Sequence, residues 1–165
     1  MDGYGLVLRL LHILGGVIWA GWAFSLALFV GPGVAAAGPE GGKAMQSIVG
    51  KTKLTQTMSV APLLVVITGV LLFWRVSGEL SSAWLSSAPG VTLSIGAVAG
   101  IVAYVLAARV IVPAAKQMAA MGATAAGGPP PADLLALRDK MTRYGQYVAV
   151  LLAISVVTMA IASTV

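Results

Sequence analysis

The chain of 165 residues contains no cysteine. This excludes disulfides, thiolate metal sites, iron–sulfur clusters and covalent attachment of a c-type haem. Charge is also scarce: 9% of the residues are Asp, Glu, Lys or Arg, against about 25% in an ordinary soluble domain. The five acids, Asp2, Glu40, Glu79, Asp133 and Asp139, all fall outside the long apolar runs. Proton-coupled pumps and transporters usually rely on a carboxylate at membrane depth, so that mechanism is disfavoured. Acids so few and so placed also provide no partner for a Ser–His–Asp arrangement. The chain has no His-x-x-x-His pair or carboxylate cluster for zinc, and no glycine-rich phosphate loop. Histidine occurs once, as His12.

Apolar residues fill the space that charge leaves. They make up 59% of the chain, and the mean hydropathy is +0.96. A helix needs about 20 mostly apolar residues to cross a bilayer. Four segments qualify, at 4–30, 57–74, 90–112 and 144–165. The first is expected to stop at Gly31-Pro32-Gly33 and the third at Pro113. Strand alternation is absent, which argues against a membrane barrel. The expected fold is all-α, a single integral-membrane four-helix bundle with a lipid bilayer as its first partner. Ala35-Ala36-Ala37 resembles a signal-peptide cleavage site, but no Lys or Arg precedes Arg9 and the apolar stretch exceeds a signal core. The first segment is therefore read as a retained helix.

The net charge is +5, and the basic residues concentrate in two connections. Lys43, Lys51 and Lys53 lie in 31–56; Lys116, Arg138, Lys140 and Arg143 lie in 113–143. Positive-inside counting puts both connections in the cytoplasm and both termini outside. Beside apolar segments such charge implies orientation and anionic lipid contact. No basic cluster interleaves with aromatics, so nucleic acid is not an expected partner. The fourth helix is expected to begin early, after the linker ending in Pro129-Pro130-Pro131, with Asp133 in its first turn. Lys-Thr-Lys before the second segment and Asp-Lys-Met-Thr-Arg before the fourth suggest a parallel repeat. Gly96 and Gly100, extended by Ala103 and Ala107, form a small-residue stripe suited to close helix approach. Pro62 is a candidate kink in the second helix.

An ionisable ring inside a membrane helix is costly and is a functional-site hypothesis by default. At about 100° per residue, His12, Gly16, Trp19 and Ala23 share a face, with Arg9 and Gly15 at its edge. A glycine one turn from a histidine leaves a flat slot of the kind a porphyrin needs to reach an axial ligand. His12 is thus the candidate metal or haem ligand, with Gly16 and Trp19 beside it. By depth, Met159 of the fourth helix is a possible second ligand, and Arg9 and Arg75 are candidate contacts for haem propionates or another anion. The plainer readings are a histidine hydrogen-bonded between helices, arginines that snorkel to the interface and a core methionine. Haem with two histidine ligands would require a second chain.

The segment Leu11-His12-Ile13-Leu14-Gly15-Gly16-Val17-Ile18-Trp19-Ala20-Gly21 resembles the opening of bacterial copper-resistance D-like membrane proteins. It is also similar to the J-type membrane protoporphyrinogen oxidase, and Thr68-Gly69-Val70-Leu71-Leu72 resembles a stretch of the second helix in that group. The resemblance implies a four-helix scaffold in the bacterial inner membrane, with His12 as the transferable ligand candidate for haem. The leading expectation is a non-catalytic polytopic protein of that membrane, a subunit or accessory of a larger complex or a homo-oligomer. The alternative is a b-type haem protein handling electrons or porphyrin through His12. A copper or small-solute transporter is the third reading.

Overall fold

The computed structural model describes residues 2–122 and 132–164. The linker ending at Pro129-Pro130-Pro131 lies outside the described residues. Those that are described form helices joined by short turns, with no strand among them. Four helices are long and apolar enough to cross a membrane: α1 (Gly3–Ala36), α3 (Leu54–Val76), α5 (Ala88–Met121) and α6 (Ala132–Ile161). Between them lie α2 (Gly38–Lys51) and the single turn α4 (Ser82–Leu85).

The start of α1 follows from Asp2, whose side chain accepts from the Gly5 N–H at 3.1 Å as an N-cap. Its end departs from the sequence expectation, because the helix runs through Gly31-Pro32-Gly33 to Ala36. Residues Leu26–Val30 form a π turn, in which the Gly31 N–H reaches back five residues to the Leu26 carbonyl. A proline clashes with the carbonyl four residues before it, and the wider turn relieves that clash at Pro32. Pro32 then sits in the first turn of the next α segment, where a missing N–H does no harm.

The third membrane helix repeats the device. It too passes its expected stop: a π turn over Ala107–Ile111 precedes Pro113, and the helix continues beyond it. The first and third membrane helices, α1 and α5, are each 34 residues long. Both carry a π turn followed two residues later by proline. The fourth helix begins at Ala132 with Asp133 in its first turn, and Pro62 is buried inside an uninterrupted α3.

The helices associate as two antiparallel pairs, α1 with α3 and α5 with α6. Glycine sets the distance in each. A Cβ on Gly15 would lie 2.8 Å from a Val65 methyl, and one on Gly96 would run into the Thr158 hydroxyl. Gly100 faces Ser155, and Ala103 is fully buried, so the small-residue stripe of α5 lies in the α5–α6 seam. The pairs meet around Trp19, Ala20, Ala103, Val148 and Leu152, and Trp19 stands edge-on to Tyr104 at 6.5 Å. Outside this small core apolar side chains face outward, with Val17 66% and Phe29 71% exposed. Only 17–22% of each spanning window is buried within the protein. An apolar surface of that extent belongs against lipid.

Candidate functional site

His12 lies about nine residues below the start of α1, and Thr68 about eight below the end of α3. In an antiparallel pair these positions share a depth at a common rise of about 1.5 Å per residue. The His12 Nδ1 is 3.0 Å from the Val65 carbonyl and 3.2 Å from the Thr68 hydroxyl oxygen. The Thr68 hydroxyl spends its own proton on the Leu64 carbonyl at 2.7 Å. It therefore receives from histidine, as does the Val65 carbonyl. Two acceptors at Nδ1 assign the ring proton to that atom and leave Nε2 with an open lone pair.

Gly69 makes room for the ring. A Cβ there would lie 2.9 Å from His12 Cε1 and 3.3 Å from Nδ1, closer than side-chain atoms normally approach. Thr68 is 3% exposed, so its hydroxyl is a fixed anchor. No buried side-chain nitrogen or oxygen among the described residues lacks a hydrogen-bond partner. His12 Nε2, which makes no hydrogen bond with a described residue, therefore reaches the bundle surface. The ring is held along one edge by α3 and presents its other nitrogen outward.

The remaining site candidates divide. Gly16, one turn below His12, has no neighbouring atom within 4 Å of where its Cβ would stand, so the face beside the ring is open there. Arg9, one turn above, is exposed and makes no ion pair with a described residue. Arg75 is already engaged: its guanidinium meets the Asp2 carboxylate at 2.7 Å and lies 6.0 Å over the Tyr4 ring. The Gly5 N–H and the Arg75 guanidinium hold the Asp2 carboxyl below its ordinary range. Trp19 fills the core and does not line the open face. Met159 belongs to the other seam, against Gly96 and within 4.0 Å of the Ser155 hydroxyl. His12, Gly16 and Arg9 thus form one surface, from which Trp19, Arg75 and Met159 stand apart.

Val65, Thr68 and Gly69 are what the sequence reading missed as parts of this site. The Thr68-Gly69 pair was visible, and matching depths along two antiparallel helices would have set it opposite His12. Among the described residues no group of three or more His, Cys, Asp or Glu side chains could hold a metal ion. The local chemistry is that of one anchored imidazole offering one nitrogen. No family model matches the chain, and neither a curated protein nor a solved structure does.

Proposed function

We propose that this helical membrane protein is a non-catalytic subunit of a larger membrane assembly, in which His12 would hold a b-type haem or related porphyrin. One observation carries the reading: Nδ1 is committed to a backbone carbonyl while Nε2 has no hydrogen-bond partner among the described residues. Histidines that ligate metals characteristically donate their other N–H to a carbonyl or carboxylate, which fixes the tautomer and raises the basicity of the ligating nitrogen. A lone pair left facing hydrocarbon is unfavourable, so an external partner is expected at Nε2.

The surrounding residues fit such a group. The open rim at Gly16 admits a flat ring, and Arg9, which pairs with no described carboxylate, lies one turn away and suits a carboxylate of the ligand. Arg75 is bound to Asp2 and serves the helix ends instead. When bound, a b-type haem supplies one-electron chemistry at its iron; the chain's own residues hold and orient it. With His12 the only histidine, a second histidine holding the same group would have to come from another subunit, which would tie the group to the assembly. The bacterial inner membrane, with the basic connections in the cytoplasm, is the matching location.

Absorption spectra of the full chain purified in mild detergent with haem supplied test the proposal. A Soret band is expected that is lost in His12→Ala and weakened in Gly16→Leu, which blocks the rim without touching the His12 hydrogen bonds. A band that survives His12→Ala rejects the haem role. Should no band form while His12→Ala still dissociates a complex seen on native gels, the partner at Nε2 is a protein hydrogen-bond donor, and only the subunit reading stands.

A further inference from the structure

Eight of the ten Lys and Arg residues, but only three of the five acids, lie at the end of the bundle that carries the two long connections. A shallow, widely open cleft of about 430 Å³ lies at that end, bounded by the lower part of α1, the end of α2 and the start of α3. Its lining is mostly apolar, with Gly21 and Met58 among the residues of that wall, and includes Trp22, Ser25, Lys53, Thr57 and Thr52, whose hydroxyl is already engaged with the Ile48 carbonyl and the Leu54 N–H. The Trp22 indole, the Ser25 and Thr57 hydroxyls and the Lys53 ammonium make no hydrogen bond or ion pair with a described residue. All four are donors, and no carboxylate lines the cleft. Trp22 lies about 30 Å along α1 from its start, roughly the thickness of the hydrocarbon core. The cleft therefore sits at headgroup level, with apolar wall running into the membrane. Nothing fills the space beside Gly21, since no atom lies within 4 Å of where its Cβ would stand.

We propose that this cleft is a binding site for one anionic phospholipid, with the headgroup phosphate on Lys53, Ser25, Thr57 and the Trp22 N–H, and an acyl chain against Gly21 and Met58. Four donor side chains around one depression, with a single positive charge among them, suit a phosphodiester oxygen set. A zwitterionic lipid would bring its own cation towards Lys53 with no acid present to receive it. The net positive charge of this end adds a diffuse attraction for anionic headgroups; the cleft adds a fixed place for one of them. The site is separate from His12 and does not depend on the haem reading.

The test places the full chain in phosphatidylcholine vesicles that contain an equal minor fraction of either tail-brominated phosphatidylglycerol or tail-brominated phosphatidylcholine, with tryptophan fluorescence as the readout. Bromine quenches a nearby indole, and Trp22→Phe identifies the cleft's share of the signal. Stronger quenching by phosphatidylglycerol is expected, with the preference reduced about fivefold in Lys53→Gln, the effect of one cation at a lipid surface. Lys53→Arg and Lys140→Gln, the latter outside the cleft, are expected to retain it. The double variant Ser25→Ala/Thr57→Val weakens it while leaving every charge in place. Equal quenching by the two lipids, or the same loss in Lys140→Gln as in Lys53→Gln, overturns the proposal in favour of diffuse attraction. Abolition of the preference by added inorganic phosphate overturns it in favour of a soluble anion.

Discussion

His12 is polar, but its immediate partners are a backbone carbonyl and a threonine whose own proton is already spent. Gly69 matters here as much as the ring itself. Gly69→Ala is expected to displace the imidazole, because the new methyl would contact Cε1 and Nδ1 together. It should lower thermal stability in detergent by about 1–3 kcal/mol, the usual cost of overpacking, and weaken any Soret band. Gly16→Ala meets empty space and should leave stability unchanged or slightly higher. If the two variants have equal stability, the ring does not pack as described. Thr68→Val removes one of the two acceptors and should cost about 0.6 kcal/mol, typical of a hydrogen bond between membrane helices. At the chain start, the lowered Asp2 carboxyl gives a pH signature. Its pairing with the Gly5 N–H and Arg75 is fully present above the ordinary carboxylate value and is lost as pH falls through the lowered one. Acid melts of the wild type should therefore show a loss at low pH that is absent in Asp2→Asn; the group is exposed, so the effect is small and shrinks with salt. His12 was legible in the sequence because an ionisable ring in an apolar run stands out. Gly69 was visible beside Thr68 and could be matched to His12 in depth, but its role as the space for the ring was not legible, because a glycine carries no sign of which side chain it makes room for.

At the scale of the helix, the two prolines taken as stops are instead built into continuous helices. Proline forbids a normal helical turn only when the preceding turn keeps α geometry. Shifting one hydrogen bond from four to five residues relieves the clash at a small local cost. The glycine at position 31 belongs to this solution, since a Cβ there would lie 2.6 Å from the Leu26 carbonyl. Gly31→Val is expected to break the helix near Phe29, seen as faster amide exchange from there to Ala36. Pro32→Ala should be tolerated, because alanine removes the reason for the wide turn without adding a clash. In the other pair, Gly96→Ala is expected to wedge α5 from α6 at Thr158, and Thr158→Ala in the same chain should restore part of the lost stability, measured as a double-mutant cycle. No rescue would mean that the two residues do not touch. Helix existence was legible from hydropathy at this scale. Helix ends were not, because a π turn has no strong sequence mark beyond the proline that follows it.

The whole molecule is two helix pairs with a thin shared core and a wide apolar surface. Charge is distributed unevenly along its axis: the termini end has Arg9 and Arg75 against Asp2 and Glu79, while the other end holds the remaining excess of cations. Orientation should follow that difference. Because the chain lacks cysteine, single cysteines can be introduced without background. A membrane-impermeant thiol reagent applied outside intact cells is expected to label Glu79→Cys and to leave Lys140→Cys unlabelled; the reverse pattern would invert the topology. His12 and Trp22 of the lipid cleft are about 15 Å apart along α1, and no residue is shared between the two sites, so loss of one is expected to leave the other working.

Composition and periodicity were enough to determine an all-α protein with four apolar spans, because transfer of apolar side chains from water depends on residue type and run length and hardly on neighbours. The same terms singled out His12 and the basic connections. Only the tertiary structure decided which residues share a seam. It sent Trp19 to the core, Arg75 to Asp2 and Met159 to the second pair. It left His12, Gly16 and Arg9 on one surface, and drew Trp22, Ser25, Lys53 and Thr57 around one cleft. Contacts of this kind depend on helix rotation and depth, and both are fixed by glycines and π turns acting between segments far apart in the chain.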